Sequence, residues 1–292
     1  MSASKYERSS IEELDGSSGT YFVIPSSIIL KRNKDIGDRL VTAFSFFSVN
    51  RGLNWKAMFS LNKMVEWCGK NPDRHKGGIN DKFKKTVEFL EDEGYLDLED
   101  KIANSTCCTA VINKSKITEE CQTNKKRFAT VYLDEVEKIL SWQNPNKKDT
   151  YVNPDVLIRV FSYLRMMISR RPNKLSAQEA GESIEKRMLR LPEAYNGYYC
   201  DMASDLDITP RAFSESIKVL KEIGLIYYES LPRVKVNGKW MTTHTIFCNA
   251  YKREGKHLFA SGEDYYGIEI KNKKKMLRLI DNQGCFDENG GV

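Results

Sequence analysis

Basic side chains gathered at the starts of two segments are the groups best placed to do chemistry in this sequence, and that chemistry is the grip of a polyanion. From Gly69 to Lys85 the chain carries Lys70, Arg74, Lys76, Lys82, Lys84 and Lys85 against only Asp73 and Asp81. From Val87 to Glu93 the sign reverses, with Glu88, Glu91, Asp92 and Glu93. A solvated helix tuned to its own dipole carries acids first and bases last, so the inverted order points to a helix start that meets negative charge. The second segment presents Arg211, Ser214, Glu215 and Lys218 on the face away from Phe213 and Ile217. Arg211 is expected to contact a base, because a guanidinium can offer two parallel donors to a guanine edge. Arg233, Lys235 and Lys239 follow with no acid between them, a spacing suited to backbone phosphates and equally to a solubilised hairpin edge. A third cluster, Lys271, Lys273, Lys274, Lys275 and Arg278, lies among Ile268, Ile270, Met276, Leu277 and Ile280. It reads either as the solvated end of an amphipathic helix or as a phosphate-contacting arm.

Catalytic chemistry has little to stand on. There is no GxxxxGK[ST] loop to cradle a triphosphate and no glycine-rich dinucleotide fingerprint. His75, His244 and His257 are the three histidines, and none forms the HxH or HExxH pair of a metal site. Glu12-Glu13 and Glu119-Glu120 lack partner motifs and read as solvated surface. The cysteines, Cys68, Cys107, Cys108, Cys121, Cys200, Cys248 and Cys285, are odd in number and contain no CxxC pair. Cys107, Cys108 and Cys121 beside His75 make a poor zinc signature, and free thiols in a reducing compartment are expected. The expectation is therefore a chain that is not an enzyme and takes no cofactor. Its Tyr, Phe and Trp residues fall on apolar stripes and strands, which disfavours a base-stacking, single-strand platform.

The elements that would position the basic groups come from an internal repeat. The string from Phe83 to Glu99 matches that from Phe213 to Glu229 at a constant offset of 130 residues, without a gap. Phe83, Val87 and Leu90, and again Phe213, Ile217 and Leu220, sit at i, i+4 and i+7, one stripe of a helix. Gly94 and Gly224 fall where a left-handed cap ends a helix. Tyr95–Leu98 and Leu225–Tyr228 then read as strands. Before the first string, Ser60 can cap a helix over Leu61–Cys68, and a polar turn runs from Gly69 to Gly78. Before the second, Cys200–Leu206 reads as a short helix, and Thr209-Pro210 is a strong helix start. Each unit also has a leading helix, Ile36–Phe47 after the strand-like Tyr21–Leu30, and Asp155–Arg170 after Asn153-Pro154. The first wing is expected to return through Phe128–Leu133, followed by a short helix through Leu140. That leaves Asn104–Arg127 as a mobile excursion. The second wing is expected to turn at Asn237-Gly238 and to return through Met241–Ala250. Leu175–Tyr195 reads as a helical insertion.

The 292 residues allow two domains, and 40% hydrophobic with 29% charged residues is a globular balance. The formal net charge of +6 suits a polyanionic partner. No run approaches the roughly 20 apolar residues that cross a bilayer, and Met1 to Ser18 lacks the apolar core of a signal peptide. A cytoplasmic protein without membrane contact is expected. The fold class is α+β, mostly helical, with two tandem winged-helix domains, each a helix-turn-helix plus a β-hairpin wing. The expected divisions are a flexible tail at 1–18, a first domain at 19–143, a linker at 144–151, a second domain at 152–255 and a basic extension at 256–292.

Two such units, each ending Phe-x3-Val/Ile-x-Phe/Val-Leu-x3-Gly, resemble the replication initiator proteins of theta-replicating plasmids and related phage over roughly Tyr21 to Arg253. The resemblance implies recognition of repeated double-stranded origin sites by both units. By position, Lys82, Lys84 and Lys85 fall on the first recognition helix and Arg211, Ser214 and Lys218 on the second. It also implies self-association through the first unit in some members. A transcriptional regulator of the same fold stays open as an alternative. So does a replisome organiser or helicase-loading adaptor that works mainly through protein contacts.

Overall fold

The computed structural model describes residues 10–13, 20–33, 36–73, 75–122, 127–143, 152–168, 181, 193–231, 235–236, 239–240, 245–254, 257–260, 267 and 269–275. Along the chain run β1 (Ser10–Glu13), β2 (Tyr21–Pro25), α1 (Ser26–Ile29), α2 (Gly37–Asn50), β3 (Lys56–Phe59), α3 (Leu61–Trp67) and α4 (Ile79–Asp92). Then come β4 (Leu96–Leu98), β5 (Cys108–Ile112), α5 (Lys114–Gln122), β6 (Phe128–Tyr132), α6 (Leu133–Ser141) and α7 (Pro154–Met167). They are followed by β7 (Ala194–Gly197), α8 (Tyr199–Asp205), α9 (Pro210–Glu222), β8 (Ile226–Ser230), β9 (Lys235–Val236) and β10 (Lys239–Trp240). β11 (Thr245–Asn249), β12 (Lys252–Glu254) and β13 (His257–Ala260) complete the strands, and residues 269–275 are helical. The architecture is mixed α+β with small antiparallel sheets. Among the described residues no helix is long and apolar enough to cross a membrane.

One compact unit comprises Thr20–Met167 with Tyr199–Ile223. Its three-stranded sheet has the order β3-β5-β4, so the last strand in sequence lies in the middle. Cys108, Ala110 and Ile112 of β5 are buried while Thr109 and Val111 are half-buried, the period of two expected of a strand with one face on a core. Phe83, Val87 and Leu90 of α4 are fully buried, as the stripe requires, and α4 packs against α2 and α3. Phe47 of α2 meets Phe59 of β3 edge to face with ring centroids 5.0 Å apart. α7 packs on α2, and α8 and α9 complete this unit, with α9 packed on α7 and α8. Phe213 is fully buried there, its ring 5.7 Å from that of Tyr199.

The other unit takes the chain before Thr20, Ile168–Tyr198 and the chain after Ile223. It holds the sheets β7-β11-β8, β1-β13-β12 and β10-β9. Every residue of β11 is buried, as befits a central strand. Ile246 and Cys248 of β11 pack with Ala194 of β7 and with Ile270 from the helical stretch 269–275.

An order of elements thus recurs along the chain. Helix, strand, helix, helix, strand, strand describes α2, β3, α3, α4, β4 and β5, and again α7, β7, α8, α9, β8 and β11 once the two-residue strands β9 and β10 between β8 and β11 are set aside. In both, the third strand lies between the first and second. Gly94 and Gly224 close the two corresponding helices at the same φ of 72°, a left-handed value open to glycine without strain.

Several expectations are corrected. The strand that returns beside β4 is Cys108–Ile112, not Phe128–Leu133; β6 pairs instead with β2, from Tyr21↔Tyr132 to Pro25↔Phe128. Both segments are rich in β-branched and apolar residues, and the nearer one closes the shorter loop. Asn104–Arg127 is accordingly not an empty excursion, since it contains β5 and α5. The strand expected over Tyr21–Leu30 stops at Pro25 and turns into α1. Ser10–Glu13, read as part of a frayed tail, pairs with His257–Ala260. Ala194 and Tyr195, read as the end of a helical insertion, start β7. Most of the 175–195 insertion, the linker at 144–151 and the turn at Asn237-Gly238 lie outside the described residues.

Candidate nucleic-acid interface

The start of α4 is held by a buried amide. Asn80 is only 2% exposed. Its Nδ2 donates to Oδ1 of Asn62 at 2.8 Å and to Oδ1 of Asn104 at 2.9 Å. Its Oδ1 accepts from the Asp73 amide at 3.0 Å. One side chain thereby ties the first turn of α3, the loop before α4 and the β4–β5 loop to the front of α4. Leu61 N and Asn62 N donate to the carbonyls of Ala103 and Asn104, so two amides that a helix start leaves without partners find them in the β4–β5 loop. Ser60 Oγ accepts from Lys63 N at 3.4 Å, as a cap should. Gly77, at φ 79°, lets the loop reverse just before the helix, and its amide donates to Asp81 Oδ2 at 3.1 Å.

Burying Phe83, Val87 and Leu90 leaves Lys76, Lys82, Lys84 and Lys85 exposed. Lys84 lies 3.6 Å from Glu88 and Lys85 lies 3.5 Å from Asp81. Such exposed pairs are worth only a few tenths of a kcal/mol (about 0.3–0.5). Among the described residues Lys76 and Lys82 make no ion pair. Lys70 belongs to packing instead: its Nζ bonds Asp155 of α7 and stands 5.2 Å from the centroid of the Phe83 ring. Arg74 lies outside the described residues.

α9 is built by the same rules. Thr209 Oγ1 accepts from Ala212 N at 3.1 Å, and Pro210 takes the first helical position. Ala212, Phe213, Ser216, Ile217 and Leu220 are buried, which turns Arg211 and Lys218 outward and leaves Ser214 and Glu215 half-buried. Lys218 pairs with Glu215 at 2.7 Å. The turn before α9 contains Asp207 at φ 52°, a left-handed conformation that a short polar side chain tolerates. Within this unit α4 rests on α2, α9 rests on α7, and α2 rests on α7. Lys235 and Lys239 lie in β9 and β10, in the register Lys239↔Val236 and Trp240↔Lys235. Their side chains, and Arg233 altogether, lie outside the description. Lys273 and Lys274 are half-buried, and Lys274 pairs with Glu229 at 2.6 Å, so this part of the basic tail is partly engaged in packing.

A comparison with protein-family models gives no match to this chain, and a comparison with curated proteins gives no relative.

Elsewhere, hydrogen bonds join Ser27, Tyr95 and Glu120, with Tyr95 Oη 2.9 Å from both Glu120 oxygens. Burial, with the Glu120 carboxylate, pushes the Tyr95 phenol well above its usual range. A phenol held protonated in this way is a tie between α5, α1 and the α4–β4 turn. Among the described residues no three His, Cys, Asp or Glu side chains gather to hold a metal. The arrangement around α4 and α9 offers two helix starts with exposed cations, the second capped by Thr209, suited to phosphate and base-edge contacts. Sequence periodicity picked out both stripes but passed over Asn62, Asn80 and Asn104, because it weighs apolar positions only.

Proposed function

We propose that this chain is a sequence-specific double-stranded DNA-binding protein of two winged-helix units, acting as a replication initiator of plasmid or phage type. The reading rests chiefly on the recurrence of one element order with one strand order, β3-β5-β4 and β7-β11-β8. Helix, strand, helix, helix and a two-stranded return is the topology in which a third helix enters the major groove and the hairpin flanks it. In the first copy Lys76 and Lys82 meet phosphates, with Lys84 and Lys85 on the same exposed face. In the second, Arg211 contacts a base edge, with Ser214 and Lys218 beside it. Arg233, Lys235 and Lys239, three cations with no acid between them in the sequence, add backbone contacts. A helix pair fixed on α2 and α7 would favour sites that carry two recognition elements at set spacing, as repeated origin sites do.

Selection of bound duplexes from a random pool tests this reading. The expected outcome is enrichment of a short motif that also occurs as direct repeats beside the gene. A single promoter palindrome would make the chain a transcriptional regulator. No enrichment, together with a stable complex with a replicative helicase, would make it a loading adaptor.

A further inference from the structure

The space enclosed by β2, the C-terminal end of α2, and α5 has chemistry that duplex binding leaves unused. It is a cavity of about 240 Å³ whose wall includes Tyr21, Phe22, Trp55, Ile117 and Phe128. Among the described residues Arg51 is the one ionised side chain in that wall. Burial lowers its pKa below the ordinary guanidinium value, although the nearby Tyr21 opposes the shift; such a shift marks a cation held partly out of water. Nη1 donates to the Ser48 carbonyl at 2.7 Å, and the guanidinium carbon stands 4.6 Å from the centroid of the Trp55 ring. The two buried arginines of this unit each meet a carboxylate, Arg159 with Asp38 and Arg165 with Glu135, whereas Arg51 is half-buried. Among the described residues Arg51 meets none. A guanidinium has five N–H donors, and the Ser48 carbonyl occupies one.

The wall is also strained where it meets this cation. Trp55 has φ 63°, a left-handed conformation unusual for a bulky residue, and such conformations gather at ligand sites. Trp55 N donates to the Gly52 carbonyl at 3.0 Å and Ile112 N donates to the Trp55 carbonyl at 2.8 Å, which fixes the ring beside Arg51. Lys114 Nζ stands 5.4 Å from the same ring. Tyr21, 56% exposed, and Phe128, 37% exposed, leave aromatic surface in contact with water. Burial raises the Cys121 thiol pKa, with Glu120 adding to the effect, so this side chain of the wall stays neutral.

We propose that this cavity binds a small organic carboxylate with a ring-sized apolar body, the carboxylate on Arg51 and the body among Tyr21, Trp55 and Phe128. A largely apolar and aromatic wall with a few polar groups, here Ser48, Arg51, Thr118 and Gln122, is the usual make-up of a small-molecule site. The volume lies below the roughly 300–1,000 Å³ of drug-sized pockets, which favours one ring over a nucleotide. Positive charge without an internal counter-ion selects an anion over a neutral or cationic ligand. This site is independent of the duplex-binding reading.

Calorimetric titration of the full chain with sodium phenylacetate, at constant ionic strength, tests it, with 2-phenylethanol as the uncharged counterpart. Saturable phenylacetate binding is expected, with the alcohol at least about tenfold weaker, the effect of one charge-assisted hydrogen bond. Arg51→Gln should abolish that preference. Thr118→Trp, at an exposed position on the cavity wall, should block the acid while leaving Arg51 and the melting temperature unchanged, so the test survives an Arg51 variant that fails to fold. No saturation by about 10 mM, equal binding of the alcohol, or unaltered binding by the Thr118 variant would overturn the proposal. Binding of acetyl-Phe-Asp-amide where phenylacetate fails would also overturn it, assigning the cavity to a protein partner.

Discussion

Arg159 of α7 donates from Nη1 to Oδ1 of Asp38 on α2 at 2.8 Å, joining the leading helices of the two repeats through a charged hydrogen bond. The same guanidinium donates from Nε to the Ile29 carbonyl at 2.9 Å and from Nη2 to the Lys31 carbonyl at 2.8 Å. Arg159 is almost wholly buried, while Asp38 keeps about a third of its side chain in water. The two ends of this bond therefore differ in what their removal costs. Arg159→Ala strips three acceptors of a donor and opens a cavity, and should lower unfolding free energy by about 3 kcal/mol. Asp38→Asn keeps the shape and should cost about 1 kcal/mol. Urea denaturation of the two variants checks the ranking.

Asn80 sets a conflict between two effects of known sign. An acid in the first turn of a helix is ordinarily favourable by about 0.3–1 kcal/mol. Asn80→Asp, however, replaces the donor Nδ2 with an acceptor that faces Oδ1 of Asn62 and Oδ1 of Asn104. Burial makes the second effect win. Asn80→Asp should destabilise by at least about 2 kcal/mol, more than Asn80→Ala, as measured by chemical denaturation at neutral pH. A more stable Asp variant would contradict this ranking.

Single charge changes should separate positioning from specificity under the proposed duplex-binding role. Lys82→Ala should weaken all sequences alike, because a phosphate contact carries no base information. Lys84→Ala should do less, since Glu88 already shares that charge. Arg211→Ala should remove preference at one or two base positions by about 1–3 kcal/mol while leaving non-specific binding nearly intact. Competition between the selected site and its single-base variants reads all three.

The thiols should divide by burial. Cys107 and Cys200 are exposed, whereas Cys68, Cys108 and Cys248 are buried. A disulfide-exchange reagent should modify the first two before the last three in native protein. Burial, assisted by Asp155, raises the Cys68 thiol far above its ordinary 9.0. Its folded-state pKa exceeds its unfolded one, so its contribution is complete below about pH 9 and is lost as pH rises. Tyr95, also raised, adds to that loss above its ordinary 10.0. The urea midpoint should therefore fall on the alkaline side of pH 9, less steeply in Cys68→Ala.

Much of the helical frame is legible in the sequence because it follows from local rules. The i, i+4, i+7 stripes at Phe83 and Phe213, the caps at Ser60 and Thr209, and the stops at Gly94 and Gly224 each depend on neighbours within a few residues. Strand partnership does not. Cys108–Ile112 and Phe128–Tyr132 have similar composition, and which of them pairs with β4 depends on where β2 lies, a long-range fact that alternation cannot encode. Polar ties are hidden for the same reason. Asn62, Asn80 and Asn104 are separated by 18 and 24 residues, and Glu135 is buried against Arg165 30 residues on. The basic cluster before α4 was legible as charge, but only packing reveals that Lys70 turns to Asp155 while Lys82 stays in water.

The salt dependence of duplex affinity, for wild type and for a Lys82→Ala, Arg211→Ala double variant, bears most directly on whether both repeats grip DNA through the starts of α4 and α9. Fluorescence anisotropy should give a log–log line with a slope of several units for wild type, and one flatter by about one for the double variant, the counterion released at the Lys82 phosphate contact, since Arg211 reads a base edge. Wild-type affinity indifferent to salt, or an unchanged slope in a folded double variant, would contradict that account.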